Sequence, residues 1–145
     1  MSDFRFVVEI AAPPFQVWEA LLDIERWPEW TESVTSVERL DEGPLAVGSL
    51  TRIVKPELIP AVWRVTELNE RDHVFTWRTG KPGVRLTARH VVERVPQGSR
   101  VTFTLHYGGL FGALMAWQLK HLNWHYLTME AQGLKTRCET ALVRA

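Results

Sequence analysis

The sequence predicts an α+β domain in which a curved antiparallel sheet of seven strands wraps around one long C-terminal helix. Apolar and polar residues alternate in seven segments, turn signals separate most of them, and the period becomes helical after residue 110. A sheet with one apolar face and a helix with an apolar stripe can bury both by packing together. The 145 residues suffice for one core, so we assign residues 1–145 to a single domain of order β-α-α-β6-α, with six consecutive strands before the last helix.

The first elements are a strand and two short helices. Residues 4–10 alternate apolar with charged or polar side chains, which predicts a half-buried strand. Two prolines end this strand, and Pro14 suits the first turn of a helix because its missing N–H would be unpaired there. Asp23 is placed to cap a second helical turn, and Pro28 is expected to break the chain between two tryptophans.

Six further strands are predicted from period-two alternation between turn signals. The signals are rich in Gly, Pro, Asn and Asp, as at residues 41–44, 69–72, 80–83 and 97–99. The predicted strands cover residues 34–41, 49–55, 61–69, a segment around 75–77, residues 84–95 and a segment around 101–107.

The last element is predicted to be one helix from Leu110 to about Leu142, since this stretch contains no proline. We take Ala131 as the inward reference and advance about 100° per residue. The predicted inward face is Ala113, Trp117, Lys120, Trp124, Leu127, Leu134 and Cys138.

The back of the same helix carries a second apolar stripe, with near-heptad spacing. A helix that packs on one face only should have a polar back. We therefore expect either a homodimer through this outer face, or a mobile lid, or coverage by loops of the same chain. The stripe is Met115, Leu119, Leu122, Tyr126 and Met129.

Composition excludes several classes of function. Lysine plus arginine equals aspartate plus glutamate, at 17 each, so net charge favours neither nucleic acid nor an anionic membrane as a partner. The single Cys138 excludes an internal disulfide and a cysteine-rich zinc site. No apolar run approaches the roughly 20 residues of a membrane span, and the start at Met1 lacks a signal peptide. We expect a cytoplasmic protein.

A metal site is not indicated. His121 and His125 share a helical face, but the residues between them lack the glutamate of a zinc hydrolase motif, and no third ligand is evident. We expect no metal and no cofactor.

Three motifs carry a resemblance to a known family. They are Ala12-Pro13-Pro14 followed by Phe15-x-Val17-Trp18-x-x-Leu21-x-Asp23, then Trp27-Pro28-Glu29-Trp30, and the ending Leu134-Lys135-x-x-x-Glu139. The chain resembles the START-like (SRPBCC) superfamily, in particular its polyketide cyclase/dehydrase-like branch. The resemblance implies the helix-grip fold, with a cavity between sheet and helix that in this family commonly holds lipids, sterols, polyketides or aromatic metabolites.

Bulky and polar side chains on the predicted inner faces are the candidate site. His90 interrupts an apolar strand face, where it is either a ligand-orienting or proton-transferring group or a satisfied core histidine. Tyr107 could bind a ligand carbonyl or only close the end of the sheet, and Lys120 could meet a ligand carboxylate or reach past the tryptophans to water. The bulky rings could also fill the interior. The predicted ligand-binding residues are Trp30, Trp63, Trp77, His90, Phe103, Tyr107, Trp117, Lys120 and Trp124.

Two functions fit these residues. The first is a carrier or sensor that binds a small hydrophobic or aromatic molecule. The second is a cyclase- or dehydratase-like enzyme, in which His90 and Tyr107 assist enolate formation on a polyketide-like or aromatic substrate. An isolated histidine would favour binding, whereas His90 together with Tyr107 and a third polar group would favour catalysis. An interaction protein that uses the outer stripe of the long helix is a third, weaker hypothesis.

Overall fold

The structure is a computed structural model that describes residues 3–144, with side chains for residues 3–141. The described residues form seven strands, three α-helices and one 3₁₀ helix. In order they are β1 (Asp3–Ile10), α1 (Pro14–Leu22), the 3₁₀ helix (Ile24–Glu29), β2 (Ser36–Arg39), β3 (Leu50–Val54), β4 (Ala61–Asn69), β5 (Val74–Lys81), β6 (Val84–Val95), β7 (Gly98–Gly108), α2 (Gly112–Gln118) and α3 (Lys120–Arg144).

All seven strands form one antiparallel sheet in the order β1-β7-β6-β5-β4-β3-β2. Hairpins join β2 through β7, and β1 completes the sheet by pairing with β7. The register aligns Phe75 with His90 and His90 with Phe103, so these three side chains share one face of the sheet. The helix α3 packs against this sheet, and the predicted fold class is therefore confirmed.

The start of the chain follows the prediction, with two local differences. Pro14 occupies the first turn of α1, as expected. Asp23 makes no side-chain capping hydrogen bond, so the expected cap is wrong. Pro28 lies inside the 3₁₀ helix instead of ending it, because a proline lacks only an N–H that a short helix can leave unpaired.

The predicted long helix is two helices. Leu119 has φ −103° and ψ 12°, which ends α2, and α3 begins at the next residue. A single helical wheel therefore cannot relate the residues before this break to those after it. No helix within residues 3–144 is both long and apolar enough to cross a membrane.

The buried face of α3 is partly the predicted one. Leu127, Leu134 and Cys138 are buried as expected, beside the reference Ala131. Asn123, Tyr126 and Glu130 are buried as well, so the inward face is rotated from the predicted position. The inward prediction is wrong for four residues in α2 and near the start of α3. These residues are exposed: Ala113, Trp117, Lys120 and Trp124.

The second apolar stripe is covered in part by the same chain. Tyr126 is 5% exposed, and the Glu57 backbone N–H donates to its hydroxyl at 3.3 Å. The Lys55 ammonium lies 5.1 Å from the centre of the Tyr126 ring. Residues of the β3–β4 connection thus cover this part of the stripe, as in the same-chain alternative. The homodimer remains a prediction, and the buried Tyr126 does not support it. The other stripe residues are half-buried: Met115, Leu119, Leu122 and Met129.

The C-terminal part of α3 is attached to the end of β1. The Glu139 Oε2 atom accepts the Ala11 backbone N–H at 2.8 Å, and this N–H holds the pKa of the Glu139 carboxyl below its usual range. Lys135 Nζ donates to the Glu9 carbonyl at 2.9 Å and to Glu139 at 2.8 Å. The ending Leu134-Lys135-x-x-x-Glu139 therefore fixes the helix against the first strand.

Gly133 allows the 3₁₀ helix to approach α3. A Cβ atom at this position would lie 1.9 Å from the carbonyl oxygen of Trp30, the residue that ends the 3₁₀ helix. No side chain fits in this space, so the glycine fixes how closely the two elements pack.

This contact predicts that Gly133→Ala destabilises the protein. Alanine would normally favour a helix by about 1 kcal/mol over glycine, but here we expect a net loss of roughly 1–3 kcal/mol in the free energy of unfolding because of overpacking. Urea unfolding measures the difference. The control is Gln132→Ala on the exposed side of the same turn, which should be nearly neutral. A Gly133→Ala variant as stable as wild type would contradict the contact.

Candidate functional site

A cavity of about 110 Å³ remains between the sheet and α3. An engineered apolar cavity of about 150 Å³ is known to hold benzene, so the space suits a molecule of about one ring. The bulky rings narrow the interior but do not fill it. The apolar part of the wall includes Trp27, Ile53, Trp63, Trp77, Phe103 and Leu127.

Three indole rings form part of the cavity wall. Trp27 Nε1 donates to the Leu21 carbonyl at 3.1 Å, which holds the Trp27 ring edge-on to Trp77 at 5.3 Å. Trp77 in turn lies 5.5 Å from Trp63. Trp77 therefore contacts both Trp27 and Trp63 in this wall, and Trp27 was missed by the sequence analysis.

Four residues predicted for the site lie outside the cavity wall. Trp30 is half-buried beside Gly133, because the 3₁₀ helix turns Trp27 inward and Trp30 toward α3. Lys120 and Trp117 are exposed and contact each other, with the ammonium 5.8 Å from the ring centre. Trp124 packs edge-on against Phe4 at 5.5 Å, at the edge of the sheet. The break at Leu119 and the rotated inward face of α3 explain why Trp117, Lys120 and Trp124 lie outside the cavity wall.

The other five predicted residues line the cavity together: Trp63, Trp77, His90, Phe103 and Tyr107. The sequence analysis placed them on the correct faces because strand alternation fixes which side chains point inward.

His90 is buried and is held by the backbone. Its Nδ1 atom lies 3.0 Å from the Phe75 carbonyl oxygen, and its ring stacks on the Phe75 ring at 5.1 Å. Because a carbonyl only accepts, Nδ1 carries the hydrogen, and Nε2 of the neutral ring is left as an acceptor. Burial lowers the pKa of His90 below 6.5, although the Glu130 carboxylate acts in the opposite direction. His90 is therefore neutral at pH 7.

Tyr107 presents a hydrogen-bond donor. Its hydroxyl oxygen accepts from Asn123 Nδ2 at 2.8 Å, so the hydroxyl hydrogen is left to donate elsewhere. Burial raises the pKa of Tyr107, which keeps the phenol protonated. A ligand carbonyl is the kind of acceptor that this hydrogen would satisfy.

A third polar cluster lies on the same cavity. Lys55 Nζ is 3.7 Å from Glu130 Oε1, and Ser33 Oγ donates to the same carboxylate oxygen at 3.4 Å. Glu130 is 9% exposed, so its charge requires these partners. The sequence analysis missed Lys55, Asn123 and Glu130. Asn123 and Glu130 are seven residues apart on α3, a spacing that indicates a shared face, but no sequence signal pairs either with a residue from a strand or loop.

The histidine pair on α3 lies away from the cavity. His121 and His125 are both exposed. Within the part of the chain that the structure describes, no three His, Cys, Asp or Glu side chains are grouped so as to hold a metal ion.

Solved structures with this architecture come from several bacteria. The Thermus thermophilus protein TTHA0849 aligns with a TM-score of 0.76 at 21% identity, over 96% of this chain and 98% of its own. The Zhui aromatase/cyclase from Streptomyces aligns with a TM-score of 0.79 at 16% identity, over 97% and 94%. XoxI from Bacillus cereus aligns with a TM-score of 0.75 at 16% identity, over 95% and 96%.

These identities establish a common fold and not a common activity. A search of curated protein sequences finds no significant match. The profile of one family, described as polyketide cyclase / dehydrase and lipid transport, matches residues 1–139. The seven-stranded sheet, the C-terminal helix and this match confirm the resemblance seen in the sequence, and the chain belongs to the polyketide cyclase/dehydrase and lipid transport family.

Proposed function

We propose that the protein binds a small apolar or aromatic molecule that carries a carbonyl or hydroxyl group. The observation that carries this proposal is the apolar cavity with one free hydrogen-bond donor and one free acceptor on its wall. The donor is the Tyr107 hydroxyl and the acceptor is His90 Nε2. Apolar walls supply affinity by removing ligand surface from water, and the two polar atoms select the orientation.

The size of the cavity restricts the ligand. About 110 Å³ is small beside the 300–1,000 Å³ or so of typical ligand pockets. A single substituted ring matches this volume, and a multi-ring polyketide would require movement of the wall. We expect the β3–β4 connection to be the part of the wall that moves, because residues 55–60 form no helix or strand, and Lys55 and Glu57 attach them to α3 through Glu130 and Tyr126.

An enzymatic role has support from the same two residues, because His90, Tyr107 and further polar groups line one cavity, the arrangement expected from the sequence to favour catalysis. His90 is neutral and can accept a proton at Nε2, while Tyr107 can donate a hydrogen bond to a carbonyl oxygen. Together they could convert a ketone to its enolate: His90 Nε2 takes the proton from the carbon next to the carbonyl, the C–H electron pair moves onto the carbonyl oxygen, and Tyr107 stabilises the negative charge there. A cyclase- or dehydratase-like reaction of the kind named for the family would begin with this step.

Tyr107→Phe should distinguish a polar ligand from an apolar one. We expect roughly tenfold weaker binding of acetophenone, because its carbonyl loses the Tyr107 donor, and unchanged binding of ethylbenzene, which has no acceptor. Isothermal titration calorimetry measures both affinities. Tyr126→Phe is the matched control: it loosens the β3–β4 connection and should change both affinities alike.

If neither compound binds the wild-type protein, the proposed function is wrong. If Tyr107→Phe weakens the binding of both compounds equally, the hydroxyl supports the packing of the cavity wall and does not bind a ligand carbonyl.

The neutral state of His90 predicts how stability depends on pH. The pKa of His90 lies below 6.5 in the folded protein. As the pH falls below 6.5, the unfolded chain therefore binds more protons than the folded protein does. The free energy of unfolding should therefore decrease from pH 6.5 downward, until the folded-state pKa is passed. Urea unfolding at a series of pH values measures this. His90→Phe and His90→Gln should both reduce the slope, whereas His125→Gln, at an exposed position, should keep it; an unchanged slope in both His90 variants would show that another group titrates.

The enzymatic alternative predicts exchange of acetophenone methyl protons in D₂O. If His90 and Tyr107 promote enol formation, NMR should show loss of the methyl signal faster than in buffer. Roughly a hundredfold slower exchange is expected in His90→Gln and in Tyr107→Phe. Binding of acetophenone without any exchange would exclude this alternative and leave the binding function.

A further inference from the structure

Three connections of the fold lie at one end of the sheet, beside the cavity. The antiparallel pairing brings them together: Thr79 Oγ1 donates to the Val62 carbonyl at 2.7 Å, and Arg85 pairs with Gly108. Phe111 of the third connection contacts Gly83 of the second, through the Phe111 N–H and the Gly83 carbonyl at 2.8 Å. The first two connections are residues 55–60 and 82–83, and the third is residues 109–119, which lead from β7 to α3 and include α2.

This end of the molecule exposes large apolar side chains. Leu110 is 85% exposed, Ile59 is 77% exposed and Trp117 is 65% exposed. Such a group of side chains in water is unfavourable and marks a surface that a partner covers. We call this set the apolar tip: Leu58, Ile59, Leu110, Phe111, Leu114 and Trp117.

The charges around the apolar tip are mainly positive. Lys81, Arg85 and Lys120 are exposed there, and the sequence contains no Asp or Glu between Glu93 and Glu130. Within the three connections Glu57 is the only carboxylate. The chain is neutral as a whole, but this end is cationic.

The opposite end of the sheet has the reverse character. Its turns at residues 41–44 and 69–72 contain one cation, Arg71, against four carboxylates: Asp41, Glu42, Glu70 and Asp72. The neutral total charge therefore conceals a molecule with one acidic end and one end that is both apolar and basic.

We propose that the apolar tip docks on the surface of an anionic lipid bilayer. Apolar side chains enter the interface to a depth of about 5–10 Å, tryptophan favours that zone, and lysine and arginine bind the headgroups. Trp117 and Lys120 supply such a pair in contact with each other. A second copy of the chain fits less well, because a two-fold contact places the same cations on both sides.

The docking surface and the cavity share one segment. Leu58 and Ile59 belong to the apolar tip and also line the cavity. Docking therefore brings the movable β3–β4 connection against the bilayer, which gives an apolar ligand a route that avoids water. Binding to the membrane does not itself require an occupied cavity, so the two proposals can fail separately.

Co-sedimentation with vesicles tests the proposal. We expect the wild-type protein to bind vesicles of mixed phosphatidylcholine and phosphatidylglycerol, and to bind pure phosphatidylcholine more weakly. Leu114→Ser should weaken binding roughly tenfold, and Lys120→Gln about fivefold. Val47→Ser is the control, because Val47 is 64% exposed but lies in the β2–β3 connection at the opposite end; its binding should match wild type.

Quenching of tryptophan fluorescence by brominated lipid tests whether the apolar tip enters the bilayer. Brominated phosphatidylglycerol should quench tryptophan fluorescence in the wild-type protein. Trp117→Phe keeps an apolar ring and should keep most of the binding, but it should lose a large part of the quenching.

Three results would overturn the proposal. Wild-type protein could fail to bind the mixed vesicles, or Val47→Ser could weaken binding as much as Leu114→Ser. Light scattering could instead show that Leu114→Ser converts a dimer to a monomer while vesicle binding stays unchanged, which would assign the tip to a second copy of the chain.

Discussion

The structure depends on one helix covering the face of a seven-stranded sheet. The C-terminal half of α3 does this by direct contact, through Leu134 and Cys138 in the core and through Glu139 at the end of β1. Gly133 lets the 3₁₀ helix approach the same helix. The N-terminal half contacts the sheet through the Asn123–Tyr107 hydrogen bond and the packing of Trp124 on Phe4, and the cavity lies beside these contacts, where the rest of the two surfaces separate. The tight contact at the C-terminal end of α3 and the cavity at its N-terminal end thus both result from how α3 packs on the sheet.

Enclosure by apolar residues determines the chemistry of the polar groups in the cavity. Removal from water favours the uncharged forms of His90 and Tyr107, and a single hydrogen bond fixes each of them. Lys55 and Glu130 form an ion pair with each other on the wall of the same space. The cavity therefore combines neutral hydrogen-bonding groups inside with an ion pair at the segment that can open.

The distribution of charge along the molecule is a property of the topology. Alternate hairpins of an antiparallel sheet lie at opposite ends, so the acidic turns collect at one end and the apolar, basic connections at the other. The total charge of zero gave no indication of this. Proposals about binding partners for small domains need the charge of each end and not only the sum.

The sequence by itself determined the strands, their inward faces and the family. Strand alternation placed Trp63, His90 and Tyr107 on one surface because its period of two leaves little freedom. It did not determine the cavity wall contributed by α3, since the absence of proline did not reveal the break at Leu119. Nor could it pair Glu130 with Lys55, which are distant in the chain. Only tertiary packing decides such pairs, because the rotation of a helix against a sheet depends on contacts from the whole core.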